Sequence, residues 1–187
     1  MLPIPVDSGF DVAFRLIDKA MDDAEYLQPQ KLHRLLFLAQ AYYAVANRGR
    51  RLIPGVFVAD PSGPLEPTLF RAFENGRPPL EPKPLAEPIS HFLDSIWRKF
   101  GAHSADHLTR LLKSHPPFQE AAAQGPRSEI TLKAMVLFYG RKQTPGGTRP
   151  AGAPAVEDVV RPRVMRSHTG KPVNVTQWMP KSHKSTK

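Results

Sequence analysis

The sequence predicts a mainly α protein: a compact bundle of about six to seven helices with one short extended segment, followed by a disordered C-terminal tail. Three features predict this. The stretch PQKLHRLLFLAQAYYAVAN at 29–47 is apolar nearly all round at helical spacing, the mark of a helix packed on several sides. Apolar stripes at three- and four-residue spacing recur along residues 8–140, and a single β-branched run interrupts them. After Gly140 the composition turns to Pro, Gly, Lys and Arg with scattered apolar residues. Such a segment buries too little apolar surface to offset the entropy of ordering it. Residues 8–140 are therefore read as the folded domain and residues 141–187 as a flexible basic tail.

The first helix is expected over 8–24, with Phe10, Ala13, Phe14, Ile17, Ala20 and Met21 as its apolar stripe and Asp7 or Ser8 as its cap. The central helix follows. Pro29 suits its first position, Gly49 its stop, and Gln40 is expected to bond a loop backbone from inside the core. Val56, Phe57 and Val58, between Pro54-Gly55 and Pro61-Ser62-Gly63-Pro64, read as one short strand. A helix from Leu65 to Phe73 is expected next, then a proline-rich surface loop over 77–88. Residues 89–100 form an amphipathic helix stopped at Gly101. Ser104 caps the next one, His115-Pro116-Pro117 breaks and restarts the chain, and Thr131 caps the last helix, which closes before Gly140.

The formal charge of +9 is unevenly placed. Residues 1–140 are close to neutral, so the basic character belongs to the tail, which could contact nucleic-acid phosphates without sequence specificity. There is no cysteine, and hence no disulfide or thiolate chemistry. The N-terminus lacks a signal-peptide pattern, and no apolar run approaches the roughly 20 residues of a membrane span. A cytoplasmic protein is expected. His103 and His107 are four residues apart, but with Ser104 as the cap they are expected on different faces, and HExxH is absent. His115 is read as a helix-break residue bonding a neighbouring carbonyl. No nucleophile elbow or phosphate-binding loop is present. No catalytic residue, metal or cofactor is expected.

The stretch LQPQKLHRLLFLAQAYY at 27–43 resembles the opening of the Panacea domain, the SocA-like antitoxin family. Gln30, Lys31, Leu32, Phe37, Ala39, Gln40 and Tyr43 carry the likeness. A second block is Ala59-Asp60-Pro61-Ser62-Gly63-Pro64-Leu65 with Leu69, Phe70 and Phe73. A third runs from Trp97 through Gly101, Ser104, Leu108 and Leu112 to His115, and a fourth is 130–139. Pro29, Asp60, Ser114 and Phe118 depart from the family pattern. The resemblance covers about residues 10–140. It implies a small helical domain that neutralises a toxin encoded beside it, by direct binding or by delivery to a cellular protease, and that also occurs in phage-related regions.

Such a protein works by binding, and the expected face is the corner where the short strand meets Gly63-Pro64. Gln30, Lys31, Gly63, Pro64 and His115 are the candidate partner-binding residues. A plain turn at Gly63-Pro64 with Gln30 as a capping side chain is the other reading of this corner. Lys31→Glu, taken as a surface change, is expected to leave thermal stability unchanged and to weaken toxin neutralisation.

Overall fold

The computed structural model describes residues 4–141 and 152–160, with the backbone of two strands at 164–166 and 172–174. Helix α1 (Gly9–Asp22) starts at Ser8, whose Oγ accepts a hydrogen bond from the Phe10 N–H at 3.1 Å. Its buried face carries Val12, Ala13, Phe14, Leu16 and Ala20, while Phe10 and Ile17 are half-buried. The expected stripe is thus rotated, and Met21 stands in solvent. Helix α2 (Pro29–Ala46) has Pro29 at its first position and no side-chain cap. Every residue from 31 to 44 is buried. Gln40 Oε1 accepts from the Leu52 and Ile53 N–H groups at 3.0 and 3.1 Å, so the amide inside the core ties down the following loop as expected.

The strand reading is corrected. Strand β1 (Val58–Asp60) lies two residues beyond the expected run and pairs antiparallel with β2 (Gly63–Leu65). Gly63, Pro64 and Leu65 are strand residues, so the next helix, α3 (Pro67–Phe73), begins at Pro67 rather than Leu65. Glu66 caps it by accepting from the Leu69 N–H at 2.7 Å. On the other side of β1, the Ile130 N–H donates to the Phe57 carbonyl at 2.8 Å and the Ala59 N–H to the Ser128 carbonyl at 2.9 Å. The free edge of this hairpin is therefore bonded by a segment far away in sequence, which local patterning does not reveal.

Helices α4 (Glu87–Phe100), α5 (Ala105–Ser114), α6 (Pro116–Gln124) and α7 (Leu132–Tyr139) follow the expected order. Ser104 and Thr131 cap α5 and α7, accepting from the His107 and Ala134 N–H groups. Around α2 pack α1, α3, α4, α5, α7 and β2. A helix surrounded in this way needs apolar residues on every side, which explains its sequence.

The tail reading also changes. Residues 152–160 include a one-turn helix, α8 (Val156–Val159), that packs on α2 and α4, with Ala153 and Val159 in the core. Strands β3 (Val164–Arg166) and β4 (Pro172–Asn174) pair antiparallel, Met165 opposite Val173. The rest of the expected tail lies outside the described residues. No helix among the described residues is long and apolar enough to cross a membrane.

Candidate functional site

Arg34 stands one turn beyond Gln30 on α2 and is only 2% exposed. Its guanidinium reaches the β1–β2 turn. Nη1 donates to the Pro64 carbonyl at 2.8 Å, Nη2 to the Ser62 carbonyl, and Nε to Thr109 Oγ1 on α5 at 2.9 Å. Burial pushes the guanidinium down to about 10, against the opposing pull of the Asp60 carboxylate. Gly63 makes the close approach possible. Its φ is +120°, and a Cβ there would lie 2.7 Å from Arg34 Cζ. Asp60 closes the turn from within: its Oδ1 accepts from the Ser62 N–H at 2.9 Å and from Ser62 Oγ at 2.7 Å. Arg127 Nε donates to Asp60 Oδ2 at 2.7 Å. Burial works to raise the Asp60 carboxyl, but these hydrogen bonds outweigh it and hold the group below its ordinary range.

The five candidate partner-binding residues do not share one exposed face. Gln30 is exposed, whereas Gly63 and Pro64 are buried under Arg34. Lys31 is 5% exposed, which overturns its reading as a surface residue. Its ammonium donates to the Glu25 carboxylate and to the Gly101 carbonyl and lies 5.3 Å from the centre of the Trp97 ring. Trp97 Nε1 donates to Asp23 Oδ2 at 2.6 Å, so Lys31 and Trp97 together lock the end of α1 to the end of α4. His115 is buried as well. Its Nδ1 shares a 2.9 Å hydrogen bond with the Tyr139 hydroxyl on α7. Burial, with Tyr42 beside it, raises Tyr139 well above its ordinary value, so that hydroxyl keeps its proton.

His33, beside Arg34, was missed as a special position. It is buried against Phe70, ring centres 5.4 Å apart, and neither ring nitrogen has a hydrogen-bond partner among the described residues. Burial, then Arg34, lowers its pKa to about 4, so it is neutral at pH 7. The signal for both residues was present in the sequence: a His-Arg pair inside a helix with no polar face must be buried, and a buried cation must find acceptors. His103 and His107 are also corrected. Their rings stack 4.7 Å apart rather than facing different ways. Burial, then His107, Lys31 and Lys99, lowers the His103 pKa. Among the described residues no group of three or more His, Cys, Asp or Glu side chains is placed to hold a metal ion.

The candidate binding face lies elsewhere. Where α1 ends, α2 begins and α3 ends, an open groove of about 240 Å³ is lined by Ile17, Met21, Tyr26, Leu27, Leu32 and Phe73. Tyr26 and Met21 are 79% and 66% exposed. Its lining also includes Arg77 and Glu25, each already paired, with Asp18 and Lys31 respectively. Comparison with protein-family models, curated proteins and solved structures finds no match to the chain.

Proposed function

We propose that the chain is a cytosolic binding protein of the antitoxin type, without catalytic activity of its own, that neutralises a toxin encoded beside it. The observation that carries this reading is the groove between Met21 and Tyr26. Two large apolar side chains held in water beside an apolar recess form the kind of surface that an apolar anchor of a protein partner covers. The resemblance to the Panacea family supplies the class of partner. The packing adds support: Arg34 from the first block of that resemblance bonds Ser62 and Pro64 of the second and Thr109 within the third. His115 of the third meets Tyr139 of the fourth. Buried residues within the blocks of the resemblance therefore brace the frame, which leaves recognition to exposed residues such as Met21 and Tyr26.

The test is co-expression of each neighbouring gene with this chain, scoring growth rescue. Wild-type chain rescues growth, and the double variant Met21→Ser, Tyr26→Ala loses rescue at least tenfold with its melting temperature unchanged. Undiminished rescue by that variant removes the groove from the interface. If rescue is lost in wild type on deleting a host protease, the route is delivery for degradation rather than direct blocking. The second reading, a nucleic-acid-associated or phage-related accessory role, rests on the excess positive charge of residues 141–187. It predicts DNA affinity that falls steeply with salt, because each phosphate contact releases counterions.

A further inference from the structure

Residues 152–160 lie on the helical domain as a ligand lies on a receptor. Ten residues, 142–151, separate them in sequence from Arg141. Gly152 sits at φ +72° against Leu111 of α5, so close that a Cβ would lie 2.2 Å from Leu111 Cδ2. The Pro154 carbonyl accepts a 3.0 Å hydrogen bond from the Tyr42 hydroxyl of α2. Ala153 and Val159 are buried, Val156 and Val160 are packed beside them, and Glu157 and Asp158 face water. The segment's own regular structure is a single turn, closed by bonds from the Asp158, Val159 and Val160 N–H groups to the carbonyls of Ala155, Ala155 and Val156. A helix this short has no stability of its own in water, so its order comes from the surface beneath it.

We propose that this surface, built by Tyr42, Leu111 and the adjoining faces of α2 and α4, is a peptide-docking site, and that residues 152–160 are a strap occupying it in cis. Its partner is a protein segment of the strap's own chemistry. That segment carries a small residue free to take positive φ and a carbonyl acceptor two residues on. One helical turn follows, presenting aliphatic residues at i, i+3 and i+4, as Val156, Val159 and Val160 do. The seated strap displays those requirements directly. Strap and partner compete, so engagement of the partner frees the strap. The inference concerns a second surface and does not depend on the antitoxin reading or on the groove at Met21 and Tyr26.

The probe is a fluorescein-labelled synthetic peptide spanning residues 150–162, read by anisotropy against the full-length chain. Gly152→Val in that chain adds a side chain that collides with Leu111 at a strained φ, and so expels the strap while leaving the surface intact. The variant is expected to bind the peptide at least tenfold more tightly than wild type, and a peptide carrying Val159→Asp is expected not to bind. Hydrogen exchange on the wild-type chain gives a second reading. The amides of Asp158, Val159 and Val160 are expected to exchange at least tenfold faster than those of α2, through opening of the strap alone. Exchange as slow as that of α2, a Gly152→Val chain that loses its helical structure, or a folded variant with no affinity for the peptide would each overturn the proposal. Residues 152–160 would then be a permanent part of the core.

Discussion

Arg34 and Lys31 are cations in positions where water does not reach, and their surroundings set what each substitution does. Arg34 is held chiefly by neutral acceptors in a fork that only a guanidinium matches. Arg34→Lys keeps the charge and loses most of that fork, and is expected to destabilise the chain by about 2–4 kcal/mol in urea unfolding. Lys31→Glu places a second carboxylate beside Glu25 and faces the Gly101 carbonyl with an acceptor. A loss of about 3–5 kcal/mol is expected, the reverse of what its reading as a surface residue implies. His33 supplies the pH dependence. Its pKa is about 4 in the folded chain against an ordinary 6.5, so between those values the unfolded chain binds the extra proton. Stability therefore falls as pH drops from about 6.5 toward 4, by about 3 kcal/mol from this residue in total. His33→Leu removes the titration and two buried, unpaired nitrogens. The variant is expected to be at least as stable as wild type at pH 7 and to lose less stability on acidification. His103 is also lowered but is present in both chains, so the difference between them isolates His33.

At the scale of elements, the β1–β2 hairpin shows both what the pattern reveals and what it hides. Leu65, Leu69 and Phe73 fall at four-residue spacing, so periodicity extends α3 back to Leu65, yet the backbone there is committed to pairing with Val58. Two local signals mark the true start: Pro67 at the first helical position and Glu66 as its cap. The same confusion puts Gly63-Pro64 in a turn, when the turn is Pro61-Ser62 closed by Asp60. Elements set by local chemistry were legible: the Ser8, Ser104 and Thr131 caps, Pro29, and the Gln40 amide on the following loop. The candidate groove was not: Met21 falls on the apolar stripe that periodicity assigns to the core face of α1, and only the actual rotation of that helix leaves it exposed beside Tyr26. Gly63 tests the hairpin. Gly63→Ala forces a side chain into φ +120° and against the Arg34 guanidinium. At least about 2 kcal/mol of destabilisation is expected from the backbone strain alone. A change below about 0.5 kcal/mol in urea unfolding would mean that the turn relaxes freely and that Arg34 does not depend on it.

Across the whole molecule, α2 is the shared wall of every layer, and two boundaries follow from it. The first is the end of the domain. Composition places it at Gly140, but a segment with few apolar residues can still dock when those few are rightly spaced, as Ala153, Val156 and Val159 are on α2 and α4. The second is the absence of a natural dividing line within the helices, since a defect in α2 is felt by α1, α3, α4, α5 and α7 together. Leu36 is a fitting probe because it is buried near the middle of α2 and takes part in no hydrogen-bonding network through its side chain. Leu36→Ala leaves a void that surrounding helices can only partly fill, with an expected loss of about 2–5 kcal/mol. If α2 does couple the layers, that loss appears as one cooperative transition, with the same midpoint by circular dichroism and by intrinsic fluorescence. Two separated midpoints would show that the hairpin side and the α1–α4 side unfold independently, and that α2 is shared between two units rather than being the core of one.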